Sequence, residues 1–104
     1  YKCDYEKLWR SICSNELNRF IIPGAIADWD NSARKGYNSQ ILLGVNEKKF
    51  KRYFSELLKK CQINDVPFVI INAWNEWAEG AYLEPDQRNR DMYLRKIKEI
   101  LEES

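Results

Sequence analysis

The sequence predicts an α/β architecture, on three observations. Apolar residues recur with helical period in three separate stretches, two short apolar runs lie between them, and the two kinds of segment alternate along the chain. Tyr5, Leu8, Trp9, Ile12 and Cys13 make one stripe of a helix expected from Asp4 to Asn15. Asn15–Asn18 break that pattern, and Arg19-Phe20-Ile21-Ile22 begins an extended segment. Pro23-Gly24 interrupts it, since proline cannot donate to a ladder, so Ala25–Asp28 either resumes the strand or opens a loop.

Trp29 to Gly44 carries no sustained period and reads as a long loop, with aromatic and charged residues at its start that favour a functional role. Asn46 suits an N-cap, and Glu47 suits the first turn of the helix that follows. Phe50, Tyr53, Phe54, Leu57, Leu58 and Cys61 form its apolar stripe, and the basic residues opposite read as a solvated face rather than a phosphate site. Asn64-Asp65-Val66-Pro67 is a turn, and Phe68-Val69-Ile70-Ile71, apolar at every position, predicts a strand buried on both faces of a parallel sheet. Tyr93, Leu94, Ile97, Ile100 and Leu101 mark a last helix from Asp91 to Glu103.

The expected order is therefore α-β-α-β-α, with right-handed crossovers. Two strands cannot cover their own faces, and a (β/α)₈ barrel needs ~200–250 residues. Residues 1–104 are expected to be the C-terminal βα units of one TIM-type barrel domain, incomplete as given and covered by the missing N-terminal part of the same barrel. The start at Tyr1, without methionine, agrees with that expectation.

Composition narrows the chemistry. Histidine is absent, which removes Ser-His-Asp and Cys-His catalysis and most zinc sites. The formal charge is +1 with both signs interspersed, so no basic face for nucleic acid is expected. No apolar run approaches the ~20 residues of a membrane span. Cys3, Cys13 and Cys61 show no CxxC spacing and read as buried reduced thiols, hence a cytoplasmic location, rather than a disulfide or reactive thiol. Neither a cofactor nor a metal is expected. The chemistry falls to carboxylates, tyrosines or groups supplied from elsewhere.

Sites in parallel α/β folds lie at the carboxyl ends of strands. Both expected strands end in acids beside tryptophan: Asp28-Trp29-Asp30, and Trp74-Asn75-Glu76-Trp77. Indole faces stack on the C–H faces of sugar rings while carboxylates and amides bond hydroxyls, so an oligosaccharide or polysaccharide is the expected substrate. Glycoside chemistry uses two carboxylates, held ~5–5.5 Å apart in retaining enzymes. Glu76 and Glu79, three residues apart in a helical turn, fit the shorter spacing, and an apolar pocket beside Trp74 and Trp77 would raise the pKa of one of them. The competing reading makes them ordinary loop glutamates with both tryptophans in the core. Asp28-Trp29-Asp30 also matches a DxD metal pattern, against which a plain loop turn stands as the alternative, and Glu84-Pro85-Asp86 reads as turn and helix-start chemistry.

Ile71-Asn72-Ala73-Trp74-Asn75-Glu76-Trp77-Ala78-Glu79-Gly80, followed by Tyr82-Leu83-Glu84-Pro85-Asp86, resembles the signature of the WbsX-type glycosyltransferase family, and Trp29-Asp30-Asn31 with Arg34 resembles its upstream loop. That family is associated with lipopolysaccharide O-antigen synthesis and is related to the family 99 glycoside hydrolases, (β/α)₈ barrels acting on α-mannosides. The resemblance implies that Glu76 is a base deprotonating the sugar's 2-hydroxyl and Glu79 a general acid/base at the glycosidic oxygen. Trp29, Asp30, Arg34, Trp74, Asn75, Trp77 and Tyr82 are the expected substrate-binding residues. Glycosyl transfer or processing, retaining endo-α-mannosidase-like hydrolysis, and an inactive truncated remnant that at most binds glycans all remain open.

Overall fold

The computed structural model describes residues 2–103. Helix α1 covers Tyr5–Ser14, and the Asp4 carboxylate caps it by accepting the Lys7 amide at 2.9 Å. Helix α3 covers Glu47–Ile63 and is capped by Asn46, whose Oδ1 accepts the Lys49 amide at 2.8 Å. Helix α4 covers Met92–Glu103. These three helices follow the apolar stripes to within a residue or two. A fourth, α2, is the short piece Ser32–Lys35.

The helices meet in an aromatic core. Trp9 is fully buried, stacked on Tyr53 at 6.3 Å between centroids and edge-on to Tyr5 and Phe50. Phe50 in turn meets Tyr93 edge-on at 5.0 Å, which ties α4 to α3. The Lys60 ammonium of α3 reaches across to the Cys13 carbonyl at 2.8 Å and to the Asn15 carbonyl, so the open end of α1 is satisfied from its neighbour.

The strands depart further from expectation. Lys2–Asp4 (β1) and Ile41–Leu43 (β3) pair in parallel, Lys2 opposite Ile41; neither was anticipated, because each is too short to show a period. The segment expected to be extended from Arg19 supplies only Gly24–Ala25 (β2), and Phe20, Ile21 and Ile22 lie exposed before it. The strand expected over Phe68–Ile71 is confined to Ile70–Ile71 (β4), paired in parallel with β2. It is not buried on both faces: Phe68 is 64 % and Ile70 59 % exposed, because β2 alone among the described residues pairs with it.

The stretch 29–44, read as one loop, contains α2, a 3₁₀ turn over Gly36–Asn38 and β3. Asn75–Glu76 (β5) and Ala81–Tyr82 (β6) form an antiparallel pair, also unanticipated. The class is mixed α/β in a small globule of 14.0 Å radius of gyration, with the element order β-α-β-α-β-α-β-β-β-α rather than α-β-α-β-α. All three cysteines are free thiols; only Cys61 is buried, Cys3 and Cys13 being half-buried. No helix among the described residues is long and apolar enough to cross a membrane.

Candidate functional site

The carboxyl ends of the parallel pair β2–β4 carry the site, and Asn72 clips them together. Its amide N–H donates to the Ala25 carbonyl at 3.1 Å, extending the ladder by one rung. Its side chain then accepts the Ala27 amide and donates to the Asp28 carbonyl, both at 3.3 Å. From below, the buried Tyr5 hydroxyl donates to the Ala27 carbonyl at 2.8 Å. The chain therefore leaves both strands in a fixed direction. Asn72 was not among the expected site residues; its place at the last rung of a strand was the available signal.

Residues 28–34 fold on their own polar side chains. Asp28 Oδ1 accepts the Trp29 amide at 2.7 Å, and Asp30 Oδ1 accepts the Ser32 amide at 3.0 Å. Burial pushes the Asp28 carboxyl above the ordinary aspartate range, with the Trp29 amide and Arg88 pulling against it. Hydrogen bonds from the Ser32 side chain and amide hold Asp30 below that range. Among the described residues no three His, Cys, Asp or Glu side chains converge as metal ligands. Asn31 is buried, and its Oδ1 accepts the Gln40 amide at 2.6 Å, closing the loop back on the start of β3. Trp29 is half-buried, and its indole N–H is enclosed without a protein acceptor.

Glu76 and Glu79 bound a hairpin turn. Glu76 ends β5 with a non-helical backbone (φ −82°, ψ 69°), Trp77–Glu79 makes one 3₁₀ turn, and Gly80 closes it at φ +60° before β6. Glu76 therefore precedes the turn, and the pair does not share the helical turn expected of it. Glu76 is exposed and Trp74 and Trp77 are 52 % and 47 % exposed, so among the described residues no apolar pocket encloses the two glutamates. The same exposure keeps both tryptophans out of the core, where the competing reading had placed them. Trp77 instead stacks on Tyr82 with centroids 4.0 Å apart, and Asn75 lies opposite Tyr82 across the hairpin.

Two segments far apart in sequence meet here. The Asp30 amide donates to the Glu79 carbonyl at 2.9 Å, and the exposed Arg34 guanidinium is ion-paired with the Glu79 carboxylate, whose side chain is 14 % exposed. A Cβ on Gly80 would stand 2.4 Å from the Asp30 carbonyl oxygen, so only glycine permits this approach. Below the turn, the Tyr82 hydroxyl donates to Asp86 at 2.5 Å, while Asp86 also takes the Asn89 amide. Burial and that bond push Tyr82 up to about 12.

A cleft of about 460 Å³ opens beside the turn, between Asp28, Asp30, Trp77, Tyr82, Arg88 and Asn89. Neither Glu76 nor Glu79 lines it, and neither do Arg34, Trp74 or Asn75. Arg88 and Asn89 were missed in the sequence because they sit in an aperiodic polar run without a motif. A larger groove of about 710 Å³ runs between α3 and α4, but Lys51 and Lys96 there are ion-paired with Glu47, Glu99 and Glu103, as a solvated face would be.

This mixed α/β chain, with its paired acidic and aromatic loops, belongs to the glycosyltransferase WbsX family, whose model matches residues 1–97. It is 33 % identical over 90 residues to the uncharacterized protein WxcX of Xanthomonas campestris pv. campestris strain B100, and equally to the protein of the same name in a second strain. The match takes in 82 % of this chain and 13 % of the relatives' length, so the chain spans about an eighth of the curated relatives it matches. No solved structure matches.

Proposed function

We propose that this chain carries part of the active site of a carbohydrate-active enzyme that transfers or processes glycosyl units in bacterial surface polysaccharide, such as O-antigen, within the cytoplasm. The observation that carries the reading is the docking of the 29–34 loop on the Trp77–Glu79 turn, through the Asp30–Glu79 backbone bond and the Arg34–Glu79 ion pair. Family membership supports a carbohydrate role, and the half-exposed faces of Trp74 and Trp77 support stacking on sugar rings. In this reading Glu76 deprotonates the 2-hydroxyl of the reacting sugar, and Glu79 exchanges a proton with the glycosidic oxygen. Arg34 fixes the Glu79 carboxylate and is a positioning residue. The parallel pairs β1–β3 and β2–β4 are taken as βα units of a (β/α)₈ barrel, whose remaining units would cover Phe68 and Ile70.

The Asn75-Glu76-Trp77-Ala78-Glu79-Gly80 sequence favours a second reading, in which water replaces the acceptor and the enzyme is a retaining α-mannoside hydrolase. Incubation with labelled α-mannoside oligosaccharides separates the two. Release of label without a nucleotide-sugar donor marks the hydrolase, and strict donor dependence marks the transferase. Donor-dependent transfer that survives Glu76→Gln sinks the carboxylate pair in either form.

A further inference from the structure

The β2–β4 ladder is ended by side chains rather than by the backbone running out. Its last rungs run from the Ile70 amide to the Pro23 carbonyl at 3.0 Å and from the Asn72 amide to the Ala25 carbonyl at 3.1 Å. A further parallel rung would send the Ala27 amide to the Asn72 carbonyl and the Trp74 amide to the Ala27 carbonyl. In their place the Asn72 side-chain oxygen accepts the Ala27 amide at 3.3 Å, and the buried Tyr5 hydroxyl donates to the Ala27 carbonyl at 2.8 Å. The chain of β4 therefore peels away before Trp74, whose carbonyl instead accepts the Leu83 and Glu84 amides at 3.0 and 3.1 Å. That departure starts the hairpin that carries Glu76 and Glu79.

A strand-end asparagine ordinarily bonds the backbone of its own loop. Asn72 instead bonds residues 45 and 44 positions away, because its side-chain nitrogen also donates to the Asp28 carbonyl at 3.3 Å. One short side chain has to accept and donate at once, which an ionised aspartate or an aliphatic residue cannot do. Asn72 is exposed, so packing does not account for an amide at this position. Two such bonds on an exposed side chain contribute little to global stability; what they fix is direction. Two residues beyond Asp28, the Asp30 amide meets the Glu79 carbonyl at 2.9 Å, so a short stretch of main chain links the brace to the docked turn.

We propose that Asn72 is a positioning residue for the reaction. By putting a side chain where a main-chain rung would fall, it sets the point at which the hairpin leaves the sheet, and with it the placement of Glu79 against the 29–34 loop. The inference rests on the carboxylate reading above and adds the residue that holds the pair in place. Without the amide, the ladder is free to close by one more rung, joining Ala27 to residue 72 and Trp74. That closure draws Trp74 into the sheet and moves the hairpin relative to Asp30. Tyr5 holds the other half of the same rung, but it is fully buried, so its removal would mix bonding with packing. Asn72 gives the cleaner test.

The test uses the protein carrying this chain and has two readouts. The first is hydrogen exchange at the Asp30 amide, the donor to Glu79. Asn72→Ala should speed it roughly 10-fold or more, while the Phe50 and Val66 amides, bonded to the Asn46 and Cys61 carbonyls, keep their rates. Asn72→Asp retains the Ala27 bond and loses the other, so its rate should fall between. The second readout is turnover of labelled α-mannoside oligosaccharides, with and without GDP-mannose. Asn72→Ala should lower kcat roughly 10- to 100-fold with KM little changed, and the thermal midpoint should move by no more than about 4 °C. An unchanged Asp30 rate in Asn72→Ala, or faster exchange with kcat intact, overturns the proposal and leaves the carbohydrate reading standing. Should Asn72→Ala loosen Phe50 and Val66 as well, Asn72→Asp decides by the same two measures. Wild-type protein inert on every sugar, or Glu79→Gln with full turnover, overturns the carboxylate reading and the positioning role with it.

Discussion

The Asp30 amide donates to the Glu79 carbonyl at 2.9 Å, and Gly80 lies so close behind that an added Cβ would meet the Asp30 carbonyl at 2.4 Å. One backbone contact thus joins the WDN loop to the NEWAEG turn, and a glycine is its condition.

Gly80→Ala therefore acts on the site through the backbone. Both the positive φ and the clash with main-chain atoms oppose the substitution, and neither can be relieved by a side-chain rotation. A loss of at least ~2 kcal/mol is expected, read by chemical denaturation. Activity should fall more than stability alone accounts for, because the loop and the turn separate. A variant with wild-type stability would show that the approach is not obligatory.

Arg34→Ala should leave stability within ~1 kcal/mol, since the pair is largely exposed on the arginine side. If Arg34 positions Glu79, kcat should drop roughly 10- to 100-fold with little change in KM. Steady-state kinetics on the accepted substrate checks it, and an equal rise in KM with kcat intact would instead make Arg34 a ground-state binding residue.

Trp9→Ala tests the core that holds the site up. Trp9 is fully buried and packs on Tyr5, Phe50, Tyr53 and Phe54, so the expected cost is ~3–5 kcal/mol. Much of a small domain's margin would be lost, and near-UV circular dichroism should show the loss of fixed aromatic packing.

Tyr82 and Asp86 give the site a pH window. Tyr82 is raised in the folded state from 10.0 to about 12, by burial and then by its bond to Asp86. Its contribution is complete below pH 10 and is lost as pH rises through about 12. Burial pushes Asp86 up, but its bonds from Tyr82, Asn89 and Arg90 outweigh that and leave it below the usual carboxylate range. Its contribution is present above the ordinary aspartate pKa and is lost as pH falls through the lowered one. Phenolate absorbance during alkaline titration should show Tyr82 ionising late, with the buried Tyr5 and Tyr93 later still, and Asp86→Asn should bring the Tyr82 step alone back towards 10.0.

The helices were legible in sequence because each carries its own record. Asp4 and Asn46 cap as their side chains demand, and the stripes of Tyr5–Trp9 and Phe50–Cys61 state which face is buried. The glutamates and tryptophans of residues 74–79 stand out in sequence by composition, and the structure places them on one hairpin. The strands were not legible. Segments of two or three residues such as Gly24–Ala25 or Ile41–Leu43 have no period, and their identity lies in the partner strand.

Apolar content alone therefore predicted burial for Phe68 and Ile70, where pairing on one side leaves them exposed. The sequence by itself determined the α/β class, the three main helices, and the residue types available for sugar chemistry. Tertiary structure alone decided that Arg34 reaches Glu79, that Gly80 must be glycine, and that Arg88 and Tyr93 share a cleft with Asp28. Helix signals are local, repeating every 3.6 residues, whereas these contacts join side chains some 45 to 65 residues apart. No short-range pattern records such a meeting.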